Sequence, residues 1–223
     1  MVETVHRAGD QTGGLRCGDL DELQRHIGDC QRCPLALTRT TLVFGVGDPH
    51  ARLMFVGEAP GRNEDLKGEP FVGAAGRLLD ELLAGIGLTR SEVYIANVVK
   101  CRPPGNRDPM PVEIETCAPF LAEQVRLIAP SVIGTLGNFA TRRVLETEKP
   151  ISAVRGRLFR VGEHKVVPVF HPAAALYDRS KHDVLVEDFT RLKAVLDGEF
   201  ATADPEPEVA ARTASDGDPP SLF

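Results

Sequence analysis

The chain has 223 residues, 42% of them hydrophobic, and a formal net charge of −6, which is enough for one well-buried domain. Its polar, mixed-charge N-terminus lacks the apolar stretch of a secretory signal, and no run approaches the ~18 apolar residues of a spanning helix, so a cytoplasmic protein with no membrane partner is expected. Five cysteines, an odd set at uneven spacings, argue against a disulfide framework and for a metal site plus one spare thiol.

In chain order, a flexible N-terminus over residues 1–18 precedes DLDELQRHIGDC, where Leu20, Leu23 and Ile27 fall at helical spacing behind Asp19 as N-cap. Cys30 and Cys33 follow as a CxxC. Residues 52–57 (RLMFVG) read as a buried strand stopped by Ala-Pro-Gly, residues 62–69 as a polar loop, and Leu78, Leu79, Leu82, Leu83 and Ile86 as one helix face. A second strand is expected over Val93–Val99. The stripe Ile114, Cys117, Leu121, Val125 and Ile128 predicts a helix that Pro119 should kink or restart. A third strand (131–136), a helix (138–145), a hairpin (157–161 with 165–170 around Gly162-Glu163) and a last helix (182–196) complete the domain.

Strands alternating with helices predict a three-layer α/β/α fold around a central, mainly parallel, four-stranded sheet spanning residues 19–196, with ligands outside the carboxyl ends of the strands. Residues 197–223 form an acidic tail expected to be disordered; they hold seven acids against Arg212 alone, and this accounts for the whole net charge. A neutral domain can still present a basic face to nucleic acid, and Lys100, Arg102, Arg107, Arg155, Arg157, Arg160, Lys165, Arg179 and Lys181 are the candidates; scattered solvated charges are the alternative.

Two residues between Cys30 and Cys33 let both thiolates reach one metal or one cluster corner. Spacing leaves Cys101 and Cys117 open between ordinary buried thiols and further ligands. Four thiolates suit zinc and a [4Fe–4S] cluster equally.

GEAPGRNEDLKGEPFVGAAGRLLDELL (57–83), NVVKCRPPGNRDP (97–109) and HPAAAL (171–176) closely resemble the family 4 uracil-DNA glycosylases over residues 19–196. The resemblance implies the uracil-DNA glycosylase fold, a bacterial or archaeal protein, and a [4Fe–4S] cluster on Cys30, Cys33, Cys101 and Cys117, with zinc the lesser candidate. It leaves Cys17 as a free thiol near the N-terminus. It implies a monomeric, monofunctional enzyme that flips uracil from single- or double-stranded DNA and hydrolyses its N-glycosidic bond to start base-excision repair. No lysine stands where a Schiff-base nucleophile would. A catalytically silent iron–sulfur DNA-binding or redox protein is the competing reading.

By the same resemblance, Gly57, Glu58, Ala59, Glu64, Phe71, Asn97 and His171 bind the base. Asn97 accepts from uracil N3–H and donates to O4, Phe71 stacks on the ring, and Glu64 stands beside C5, where it excludes thymine's methyl. His171 donates to O2, and Glu58 is the candidate base for water. Family members commonly carry leucine directly after HPAA; here Ala175 intervenes, so the wedge falls to Leu176 or Tyr177, flanked by Arg179 and Lys181 for phosphates. The last residues, Ser221, Leu222 and Phe223, resemble the end of the peptides that dock on bacterial sliding clamps.

Overall fold

The computed structural model describes residues 15–199; the remaining tail residues and the clamp-like terminus lie outside them. Among these residues six strands form one sheet: β1 (Val46–Gly47), β2 (Leu53–Gly57), β3 (Tyr94–Asn97), β4 (Val132–Leu136), β5 (Phe159–Val161) and β6 (His164–Val169). The order is β1-β3-β2-β4-β6-β5. The four central strands are parallel, as expected of the sheet, and an antiparallel strand at each edge brings the total to six. At two residues, β1 is too short to show a period of two in sequence.

Among the described residues eight α-helices accompany the sheet: α1 (Leu20–Ile27), α2 (Arg62–Lys67), α3 (Ala74–Gly85), α4 (Pro111–Ile128), α5 (Gly137–Leu145), α6 (Ile151–Val154), α7 (Ala173–Tyr177) and α8 (Ser180–Asp197). Alternation along β2 sorts the core. Met54 and Val56 face one apolar cluster with Leu121 and Val125 of α4 and Val144 of α5. Leu53 and Phe55 face a second, with Leu79 and Leu83 of α3 and Phe189 and Leu192 of α8. Helices therefore cover both faces. On the second face Phe55 stacks on Phe189 at 5.6 Å, close over Gly134, where an added Cβ would stand 2.7 Å from the Phe55 ring.

The Asp19 cap forms as expected, its Oδ1 accepting from Glu22 N–H at 2.7 Å. Three expectations change. Helix α4 runs unbroken through Pro119, which lies exposed near its middle, where the carbonyl four residues earlier can turn to water. The presumed polar loop after β2 contains α2, whose Asp65 turns inward and accepts from Thr40 N–H (2.8 Å) and Thr41 N–H (3.3 Å). Packing also begins before Asp19. Cys17 is buried with Leu23, Ile27, Phe44 and Phe120; its N–H donates to Glu123 Oε1 at 2.5 Å, and its carbonyl accepts from Arg126 at 2.6 Å.

Among the described residues no helix is long and apolar enough to cross a membrane. The basic face is thinner than the list of cations suggested. Lys100 is fully buried, Arg107 forms an ion pair with Glu113, and Arg155 is held by Asp188 and Glu187.

Candidate active site

The carboxyl ends of the parallel strands meet at a cavity of about 270 Å³. Glu58 and Ala59 come from the turn after β2, Asn97 from the end of β3, and Phe71 from the loop before α3. Glu64 comes from α2 and His171 from the loop after β6; all six line the cavity. Residues up to 113 positions apart are thus brought together by strand order. Gly57 lies under them. A Cβ there would stand 2.4 Å from Asn97 Oδ1 and 2.9 Å from the Phe71 ring, so only glycine lets both approach the strand end.

Asn97 is buried, and its Oδ1 has no hydrogen-bond partner among the described residues. An unpaired buried acceptor costs about 1–3 kcal/mol, a cost that persists where the group is kept for a ligand. His171 faces the same space. Its Nδ1 accepts from Ala173 N–H at 3.1 Å, which leaves the proton on Nε2 as a donor. Burial pulls the imidazole down to about 4, against a weaker upward pull from Glu64, so the ring is neutral at physiological pH. Its close approach also needs Gly137, where a Cβ would stand 3.0 Å from His171 Cβ. Glu58 shifts the other way. Burial, with the Asp108 carboxylate as the smaller cause, pushes it up to about 7.

Phe71 is held in a left-handed backbone conformation (φ 54°) that a bulky residue rarely adopts. Its loop is fixed from three sides. Glu64 Oε1 accepts from Val72 N–H (3.0 Å) and Gly73 N–H (3.1 Å), Arg90 donates to Pro70 O, and Gly76 packs against the Phe71 carbonyl. Glu64 therefore braces the loop as well as lining the pocket. The Phe71 and His171 rings face each other at 5.4 Å and 28°. A Cβ on Gly76 would stand 1.7 Å from Phe71 O, so Gly76→Ala should lower stability by about 1–3 kcal/mol through forced backbone displacement, read from a urea midpoint.

Asn106 and Arg107 also line the cavity, on the loop between β3 and α4. Sequence reading counted Arg107 as a candidate phosphate contact and gave Asn106 no role. Arg107 makes two hydrogen bonds to Glu113 (2.9 and 2.7 Å), a carboxylate with 0% exposure that also accepts from Met110 N–H. The acid three residues into α4 was the available signal. Arg107 is itself a third exposed, so water screens part of the pair, but Arg107→Ala leaves the Glu113 carboxylate buried without its cation and should lower the melting temperature.

The short helix α7 settles where the residue after HPAA points. Ala175 turns into the core, while Leu176 and Tyr177 stand exposed at 49% and 91%. Arg179 is exposed beside them. Lys181 is partly engaged, 3.5 Å from Asp178 and over the Phe170 ring at 5.8 Å.

Away from this cavity, Cys30, Cys33, Cys101 and Cys117 line a second one with Ile27, Leu42 and Phe120. All are free thiols. Among the described residues no three His, Cys, Asp or Glu side chains are grouped closely enough to hold a single metal ion. Two N–H donors already address the sulfurs: Arg39 Nη1 reaches Cys101 Sγ at 3.6 Å, and the Lys100 backbone N–H reaches Cys117 Sγ at 3.3 Å. Such donors accompany thiolate ligands of metal centres and tune them. Cys17 lies outside this lining.

The family model of the uracil DNA glycosylase superfamily matches residues 44–194. A type-4 uracil-DNA glycosylase of Archaeoglobus fulgidus is 48% identical over 181 residues, covering 78% of this chain and 91% of the relative. One from Thermotoga maritima is 43% identical over 181 residues, covering 79% and 94%. A type-5 uracil-DNA glycosylase of Thermus thermophilus is more distant, at 30% over 164 residues. With its parallel sheet, its strand-end pocket and these relatives, the chain belongs to the type-4 branch of the uracil-DNA glycosylase superfamily.

Proposed function

We propose that this chain, a uracil-DNA glycosylase that hydrolyses the N-glycosidic bond of uracil in DNA, reads the flipped base with Asn97 and activates water with Glu58. The observation carrying the proposal is the unpaired, buried Asn97 Oδ1 in a pocket shared with a neutral His171. Uracil offers N3–H to that oxygen and O4 to the amide N–H, whereas cytosine offers a donor at position 4 and no N3–H. The Phe71 ring supplies the stacking surface, and Glu64 stands where it excludes a methyl at C5.

As the bond from C1′ to N1 breaks, its electron pair leaves with uracil and charge grows on O2. His171 Nε2–H, already on the neutral tautomer, donates there without a proton having to move, helped by the backbone of Gly57–Ala59. Glu58 takes a proton from water as the water oxygen bonds to C1′, so an abasic site remains. No covalent enzyme–DNA adduct is needed, and the reaction is monofunctional. Leu176 or Tyr177 fills the gap left by the flipped base, with Arg179 and Lys181 near the flanking phosphates.

The four-cysteine cavity is the place for a [4Fe–4S] cluster. Its four thiols, apolar walls and two N–H donors fit such a group, and when bound it supplies a structural cross-link between the segment after α1, the segment after β3 and α4. Iron analysis of purified protein separates this from zinc. A terminal Ser221-Leu222-Phe223 contact with a sliding clamp would tether the enzyme to replicating DNA, and deletion of Leu222 and Phe223 should abolish clamp binding.

The function is tested with a uracil-containing oligonucleotide: strand breakage should follow alkali treatment and not precede it. Breakage before alkali would overturn the monofunctional reading, and none after alkali would overturn the glycosylase reading. A catalytically silent DNA-binding or redox protein is not favoured beside these relatives.

A further inference from the structure

Lys100 is 1% exposed, and the reaction just described gives it no task. A buried ammonium is costly to hold unless each of its protons is well placed. Lys100 Nζ donates to the backbone carbonyl of Asn97 at 2.9 Å and to Gln124 Oε1 at 2.5 Å. Gln124, also fully buried, spends its two amide protons on Phe44 O (2.9 Å) and Tyr94 Oη (3.3 Å), so its oxygen can face only the lysine.

The position of that lysine follows from the sheet. Strand β1 pairs only with Tyr94 and Ile95, so on that side of β3 the ladder stops before Asn97. Lys100 folds back three residues and supplies a donor where no neighbouring strand does. Its own backbone is tied at both ends, the N–H to Cys117 Sγ and the carbonyl to Val43 N–H at 2.8 Å.

Resting on the base-reading role of Asn97, we infer that Lys100, braced by Gln124, is a positioning residue that fixes the Asn97 peptide so that its carboxamide addresses the pocket. Without the ammonium the Asn97 peptide keeps only the Val98 N–H bond to Gly57 O at 2.9 Å, on its β2 side, and can tilt about it; a carboxamide aimed a few tenths of an ångström or some degrees away loses two hydrogen bonds to the base at once. The sequence places this lysine directly before a cysteine of the second cavity, so the same residue joins the base-reading strand to the four-cysteine region.

The test uses iron-loaded, full-length protein and two duplexes: one with a non-hydrolysable 2′-fluorodeoxyuridine, the other with a tetrahydrofuran abasic analogue. Lys100→Met should weaken binding of the uracil duplex by about tenfold, the loss of one hydrogen bond to a charged group, and leave the abasic duplex unchanged. Gln124→Met, which is not part of the four-cysteine cavity's lining, should move the same ratio in the same direction and serves where Lys100→Met fails to fold. Asn97→Ala is the control. If Asn97→Ala lowers the uracil-to-abasic preference while both other variants keep it, the positioning role is overturned and base reading stands. If Asn97→Ala keeps the preference, base reading itself fails and the positioning role with it. Equal losses on both duplexes would mark a general structural role and also overturn the inference.

Discussion

Asn97→Ala should lower kcat/KM for uracil excision by about two to three orders of magnitude, the scale on which removing one preorganised hydrogen-bonding group of an active site acts. The same change should leave the melting temperature level or slightly raise it. The wild-type oxygen is buried and unpaired in the free protein, so removing it relieves a standing desolvation cost. A loss of activity with no loss of stability is the expected signature of a group held for a ligand. A fall in both together would point instead to an ordinary structural asparagine.

Glu58→Gln should reduce the rate by about two to four orders of magnitude and abolish the acid limb of the pH profile. The wild-type carboxyl is pushed up to about 7, so kcat/KM should climb as pH rises towards 7 and level off above it, where the base is ionised. His171, pulled down to about 4, contributes no limb between pH 5 and 8. The linked stability effect has the opposite sense. The folded protein holds a proton on Glu58 that the unfolded chain releases at lower pH, so this group's contribution to stability falls as pH rises from about 4.5 through 7. Glu58→Gln should therefore be relatively more stable at pH 8 than at pH 5, compared with wild type. A flat wild-type rate profile from pH 5.5 to 8 would rule Glu58 out as the base.

The legible parts of this molecule were those written locally. The Asp19 cap, the three buried strands and the β5–β6 hairpin follow from short-range patterns, and they lie within a few residues of where sequence placed them. The pocket residues were reached through long ordered motifs and the resemblance they carry; Asn97 alone reads as a turn residue. What escaped depended on partners far away in the chain. RNEDLK shows no apolar stripe, so α2 is visible only once Asp65 is seen taking the Thr40 and Thr41 N–H groups. Lys100 looks like a surface cation because its two acceptors, one of them 24 residues later on α4, are brought to it by the fold. Cys17 looked like part of a loose terminus because Glu123 and Arg126, which hold its backbone, lie more than a hundred residues away.

The two margins of the sheet are only two and three residues long. A strand that brief presents few free backbone groups in a row, so another chain finds little template along which to add itself. The four long parallel strands, which are slow to assemble and most prone to mispairing while exposed, are shielded laterally once these short borders close. A protein so arranged can be concentrated, heated and cooled with less risk of strand-to-strand association than its wide central sheet alone would suggest.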